Sequence, residues 1–225
     1  MNKTFFERLF LLLLFIAISL EVRAQVYQFS SIDQGIEQQH RILMDESYLI
    51  ETVYRSNPPK FLYTRGGFYS RENETVKVHF EFNSNAKKDG LKEISYIPNN
   101  DWKVVSKKTR PLEGKWLMGG RVSASGEQRR DLSRPRKTMK MLLNGFFQWT
   151  AFNTETLEFF GAGGGTYTAK KGNYVEHIEY FSRDNSRVGK KLSFSFNQKE
   201  NDWYHKGFSS KGNPMHEIWT SRPSE

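Results

Sequence analysis

The sequence predicts an all-β fold: antiparallel strands in series that curl into an up-and-down barrel in the C-terminal half, with a related β-meander or second barrel in the N-terminal half. Three observations carry this. Apolar and polar residues alternate at a period of two, as in Val76, Val78, Phe80 and Phe82 against Lys77, His79, Glu81 and Asn83, and again in Leu192, Phe194 and Phe196 against Ser193, Ser195 and Asn197. Turn formers recur at Asn57-Pro58-Pro59, Lys88-Asp89-Gly90, Asn99-Asn100, Asn144-Gly145, Lys171-Gly172-Asn173 and Lys211-Gly212-Asn213-Pro214. The chain has 225 residues, 15% of them aromatic, and 17 glycines, a composition that buries a core rather than staying disordered. Many short strands joined by short turns favour closure, because a barrel leaves no exposed edge.

Taken in order, the first element is a targeting segment. Lys3 and Arg8 precede a run from Leu9 to Leu20 in which Ser19 is the one polar residue, and Val22-Arg23-Ala24 follows. That order predicts a secretory signal peptide over residues 1–24, cleaved after Ala24, and an exported protein in a periplasmic or extracellular space. The run is well short of the roughly 20 residues that span a bilayer, and no other stretch is apolar enough. Residues 25–110 form the predicted N-terminal β domain, with one helix candidate at Ile32 to His40. A polar, basic junction, Lys107-Lys108-Thr109-Arg110-Pro111, leads into the C-terminal barrel at 111–225. The absence of cysteine excludes disulfides, thiolate metal sites, a cysteine nucleophile and a lipid-anchoring cysteine.

An internal duplication is expected. Ile42-Leu43-Met44-Asp45 and Tyr48-Leu49-Ile50 match Met141-Leu142-Leu143-Asn144 and Phe147-Gln148-Trp149 at an offset of 99. Arg65-Gly66-Gly67-Phe68-Tyr69 matches Gly163-Gly164-Gly165-Thr166-Tyr167, and His79 to Ser84 matches His177 to Ser182, both at 98. Leu91 and Asp101-Trp102 match Leu192 and Asp202-Trp203 at 101.

In the second half, Gly114-Lys115-Trp116 near the start, Gly164-Gly165-Thr166-Tyr167-Thr168 and Tyr174 to Ile178 in the middle, and Glu217-Ile218-Trp219-Thr220-Ser221-Arg222 at the end resemble the calycin, or lipocalin-like, superfamily. The nearest likeness is to lipocalin-like domains of secreted Bacteroidetes proteins of unknown function. The resemblance implies that Gly114 and Trp116 lie on the first strand at the closed end, with Arg222 stacked over the indole. The first half lacks the G-x-W, and its only candidate first strand is Val26-Tyr27-Gln28-Phe29.

Function in such a barrel is expected at the open mouth and interior. The duplicated register turns Glu176 inward, where a carboxylate needs a cationic or hydrogen-bonding partner, with Arg121, Arg136, Lys140 and Tyr167 as candidates. Trp149 follows Phe147 at the strand period and is expected to line the cavity. The expected ligand set is Glu176, Tyr167, Trp149, Arg136 and Glu217, with no catalytic residue, cofactor or metal. His79-x-Glu81 and His177-x-Glu179 fall on the outer face and read as solvated. The basic run Arg129 to Lys137 is expected as a loop over the mouth, read first as a solvated segment and second as an attractor for an acidic ligand or partner, a polyanionic glycan or an anionic surface. Export and the lack of a recognition motif argue against nucleic acid. Gly161 to Gly165 reads as a bulged hairpin.

The expectation is a secreted binding protein for a small amphipathic or anionic ligand. Its alternative is an envelope protein–protein or glycan interaction module with a filled barrel, and an enzyme pairing Glu176 with Glu217 ranks below both.

Overall fold

A computed structural model describes residues 24–106 and 108–222. The predicted signal peptide lies outside the described residues apart from Ala24, whose carbonyl accepts from Asn144 Nδ2 at 3.1 Å. The first half contains β1 (Gln25–Asp33), β2 (Ile36–Met44), β3 (Tyr48–Ser56), β4 (Pro59–Glu72), β5 (Thr75–Asn83), a short helix α1 (Ala86–Asp89), β6 (Glu93–Tyr96) and β7 (Lys103–Ser106). The second contains β8 (Gly114–Ser123), β9 (Gly126–Arg129), β10 (Arg136–Leu143), β11 (Phe146–Asn153), β12 (Phe159–Lys170), β13 (Asn173–Phe181), β14 (Lys191–Lys199), β15 (Asp202–Phe208) and β16 (Pro214–Ser221).

Strands β10 to β16 pair antiparallel in sequence order, and β8 pairs with both β16 and β10, so the eight strands close a barrel with β9 appended to β8. The first half runs β6-β5-β4-β3-β2-β1-β7 and curls without closing. Superposing the two ladders shows why. Pairs such as Met44↔Leu49, Gly66↔Phe82 and Val78↔Ile94 recur as Leu142↔Phe147, Gly164↔Tyr180 and Glu176↔Leu192, a constant offset of 98 through five strands. β1 then stands for β8, and β7 stands for β16, which leaves no counterpart of β15. The first half is this barrel short of one strand.

The register corrects two sequence matches and adds a third equivalence. Leu49 is equivalent to Phe147, not Gln148; Ile94, not Leu91, is equivalent to Leu192; and Tyr27 occupies the Trp116 position, each opposite the equivalent residue of β2 or β10. Trp102 lies ahead of β7 rather than on a strand, yet its ring meets Tyr27 at 5.3 Å and Tyr96 at 5.7 Å, so it plugs the interior as Trp203 does against Trp116. The helix expected at Ile32 to His40 is instead the β1–β2 hairpin, turning at Gln34-Gly35, where both φ angles are positive. Glycine supplies that turn without the helical bonds an Ile-rich periodicity predicts.

Gly161 to Gly165 is no hairpin either: it runs through the middle of β12. A Cβ on Gly163 would come within 2.7 Å of the Trp149 indole, and one on Gly165 within 2.0 Å of the His177 carbonyl. The glycines let neighbouring rings and backbone cross the strand. Opposite them β13 carries a bulge at Glu179, and β5 carries the same bulge at Glu81 opposite Gly66/Gly67. One extra residue exchanges the faces of everything beyond it. Val76, Val78 and Phe80 therefore stay in the first half's interior while Phe82 turns toward the barrel, and Tyr180 turns out of the barrel by the same device.

The two halves pack through these outward faces. Leu43, Tyr48, Ile50 and Phe82 meet Leu117, Met139, Met141 and Phe152 in one buried core. The contact is pseudo-twofold: Tyr54 on Tyr180 and Phe152 on Phe82 are the same pair with the halves exchanged, and the equivalent rings of Phe61 and Phe159 stack on each other at 6.1 Å.

Candidate functional site

The barrel's closed end is packed by Trp116, Trp203, Trp219, Tyr167, Tyr174, Phe147 and Leu142. Trp116 Nε1 donates to the Leu112 carbonyl at 2.9 Å, which fixes the indole of the G-x-W strand. Arg222 does not cover it. Its guanidinium leaves the barrel, pairs with Glu81 through both terminal nitrogens at 2.8 Å and lies over Phe68 and Tyr48. The reason is the partner sheet: the bulge presents Glu81 to an otherwise buried cation. Lys140 takes the interior role, over Trp219 at 4.8 Å and Trp203 at 5.2 Å.

Above the closed end the strands leave a cavity of about 390 Å³ at the mouth. Glu176 is buried and points inward, as expected from the duplicated register. Lys140 Nζ reaches its Oε1 at 2.7 Å and the Tyr174 hydroxyl donates to the same oxygen at 3.0 Å. Of the four partners considered, the one formed is Lys140; Arg121 and Arg136 line the cavity, whereas Tyr167 sits at the closed end and donates to the Pro111 carbonyl. Burial and the Glu176 charge hold the Tyr174 phenol well above its usual range, so it stays a donor.

Trp149 lines the cavity edge-on to Phe181, with ring centroids 5.5 Å apart. Glu217 lies opposite His205 on the β15–β16 ladder and accepts from Trp219 Nε1 at 3.2 Å. Burial pushes the Glu217 carboxyl up, but His205, Lys140 and Arg121 outweigh it and hold it below the usual range. His205 was not anticipated. It is 1% exposed, its ring 3.9 Å from that of Phe194, and neither nitrogen has a hydrogen-bond partner, the 3.5 Å approach to Glu217 being misaligned. Burial first, then Lys140, lowers its pKa, so the ring is neutral near pH 7.

The rim is cationic. Arg121, Arg130, Arg136 and Arg183 all line the mouth, and none makes an ion pair among the described residues. Arg183 donates to the Phe160 carbonyl, and Arg136 stacks on the Phe160 ring at 3.4 Å. Burial and the charges of Arg183 and Arg130 depress Arg136 below the usual guanidinium value. The basic run expected to cover the mouth divides its labour: Arg130 and Arg136 face the cavity, Arg129 pairs with Glu127 and Asp202, Arg134 pairs with Asp131, and Lys137 donates to the Leu132 carbonyl. Glu81 and Glu179, expected in solvent, are instead partly buried between the halves, where Arg41 donates to Glu179 at 2.6 Å.

Among the described residues no cluster of three or more acidic or histidine side chains is placed to hold a metal, and no helix is long and apolar enough to cross a membrane. No protein-family model matches the chain, and no curated protein matches it in sequence. The closed eight-stranded antiparallel barrel is consistent with a lipocalin-like fold.

Proposed function

We propose that the protein is an exported, lipocalin-like binding protein of the calycin superfamily, akin to secreted Bacteroidetes domains, that holds a small anionic, amphipathic molecule in its C-terminal barrel. The observation that carries this reading is the mouth: four guanidiniums, none in an ion pair among the described residues, line one cavity together with aromatic rings, outnumbering its two carboxylates, of which Glu176 is already paired with Lys140. Like charges held together are costly unless an anion joins them, and a carboxylate, sulfonate or phosphate accepts from such guanidiniums in a fixed geometry. Trp149 and Phe181 offer the apolar body of the ligand a stacking wall. Buried His205 and its two open nitrogens add a polar group deeper in the cavity.

The test uses an anionic amphipathic fluorophore, anilinonaphthalene sulfonate. Binding with enhanced emission is expected, and the Arg130→Ala/Arg136→Ala pair loses about tenfold or more in affinity, about 1.4 kcal/mol or more. Affinity unchanged in the double variant removes the mouth as the site. Native mass spectrometry of the protein purified from its host then identifies the resident molecule; an empty barrel that co-purifies with an acidic protein favours the interaction-module alternative.

A further inference from the structure

The first half carries a second constellation, remote from the barrel cavity. Ser31, His40 and Glu51 lie on β1, β2 and β3, on the interior face, each one cross-strand row from the next: Phe29 pairs with His40, Ser31 with Gln38, and Ile42 with Glu51. Ser31 Oγ lies 2.8 Å from His40 Nε2, and His40 Nδ1 lies 3.1 Å from Glu51 Oε1. Glu51 is itself anchored, with Arg65 Nε at 2.7 Å and the Tyr96 hydroxyl at 2.8 Å on its other oxygen. Although burial works against ionisation, His40, Arg65 and Tyr96 hold the carboxyl below its usual range. An ionised Glu51 accepts a hydrogen bond from Nδ1–H, and that tautomer leaves Nε2 as an acceptor for the serine hydroxyl. Phe29 stacks flat on the imidazole at 4.5 Å and fixes the ring plane.

From this geometry we infer that Ser31 is an activated nucleophile, with His40 as its general base and Glu51 as the group that positions the imidazole, acting on small activated esters. The order hydroxyl, imidazole, carboxylate is the arrangement that serves acyl transfer on unrelated folds, and it is recognised by geometry and roles. The missing strand makes the site reachable. β7 pairs only with Val26 to Gln28, so β1 has a free edge from Phe29 onward, and Ser31 is only partly buried. Arg55 follows Glu51 and Val53 on the same face of β3, and its Nε is buried without a hydrogen-bond partner.

In the reaction Ser31 Oγ bonds to the ester carbonyl carbon while its proton passes to His40 Nε2. The carbon–oxygen bond to the leaving group then breaks and that oxygen takes the proton from His40. Water, deprotonated by the same nitrogen, releases the acyl group as an acid and restores the serine.

A fluorophosphonate probe tests this on the whole protein, read by intact mass and peptide mapping. One equivalent of label on Ser31 is expected, absent in Ser31→Ala and slowed at least 100-fold in His40→Asn, the range a general base contributes. Glu51→Gln slows labelling in parallel while leaving fluorophore affinity at the barrel unchanged. Ser30, the neighbour on the opposite face, is the internal control. A protein that stays unlabelled at Ser31, that labels Ser30 as fast, or that labels at the same rate after His40→Asn overturns the inference. Because the barrel is read separately by the fluorophore, its binding stands or falls independently.

Discussion

The two halves share one register yet place their buried charge differently. At the cross-strand site between the third and fourth strands of the repeat, the barrel has Trp149 opposite Gly163, and the first half has Glu51 opposite Arg65. One strand over, the barrel holds Lys140 and Glu176 where the first half holds Ile42 and Val78. The Trp149 indole and the Phe181 ring lie across Gly163, where a Cβ would come within 2.7 Å of the one and 2.9 Å of the other, and these two rings form part of the wall of the mouth cavity. In the first half the Arg65 guanidinium occupies that level and bonds Glu51. Each half thus keeps one internal ion pair, and its position decides whether the interior ends in a cavity or in a polar cluster.

If that exchange is real, the barrel should accept the first half's solution. Lys140→Ile alone leaves Glu176 buried with only the Tyr174 hydroxyl and is expected to cost about 3–5 kcal/mol. The double variant Lys140→Ile/Glu176→Val, which copies Ile42 and Val78, should recover nearly all of it. Urea unfolding of the parent, the single and the double variant decides. A double variant as unstable as the single one would break the comparison.

The interface carries the next largest effect. Glu179 and Glu81 are equivalent bulge residues, but Arg41 of the first half serves Glu179, whereas its equivalent on the barrel is Met139 and a terminal Arg222 arrives to serve Glu81. The Glu81 side chain is 15% exposed and that of Glu179 is 25% exposed. Arg222→Met should therefore cost about 2–4 kcal/mol and Arg41→Met about half of that, since water reaches Glu179 more easily once its partner is gone. Equal losses would show that the two pairs are not distinguished by burial.

Much of this architecture was legible because it is written in short-range pattern. Strand period and the recurring turn residues placed most strands, and the inward turn of Glu176 followed from alternation read through the duplicated register. What escaped was whatever a bulge or a missing strand changes. A bulge shifts no composition, yet it turned Glu81 and Glu179 from solvent into the interface and moved Tyr180 off the interior face. Arg222 was misplaced because its partner lies 141 residues away on the other sheet. His205 carries no spacing signal: β15 alternates Trp203, His205 and Gly207 inward, and the site it completes needs the closed ladder to exist. His40 ended the stretch from Ile32 read as helix and Ser31 immediately preceded it, so their contact across β1 and β2 had no place in that reading.

The smallest expected effect concerns the two interior histidines, which sharpen the comparison in one experiment. His40 is bonded at both nitrogens in the first half, while His205 in the barrel is bonded at neither. The folded-state pKa of His205 is lowered from 6.5 by burial and by Lys140, so below pH 6.5 the unfolded chain binds the proton that the folded barrel refuses. The unfolded state then holds more protons, and stability must fall as pH falls through that window. Glu217 adds a second loss at lower pH, since its folded pKa lies below the ordinary 4.5 and its favourable charge disappears on protonation. His205→Phe, which keeps an aromatic ring against Phe194, should flatten the first decline and shrink the second without abolishing it, since Lys140 and Arg121 still act on Glu217. Urea midpoints taken from pH 8 to about pH 3 resolve the two, and a first decline that survives in His205→Phe assigns it to a group other than the one the barrel leaves unbonded.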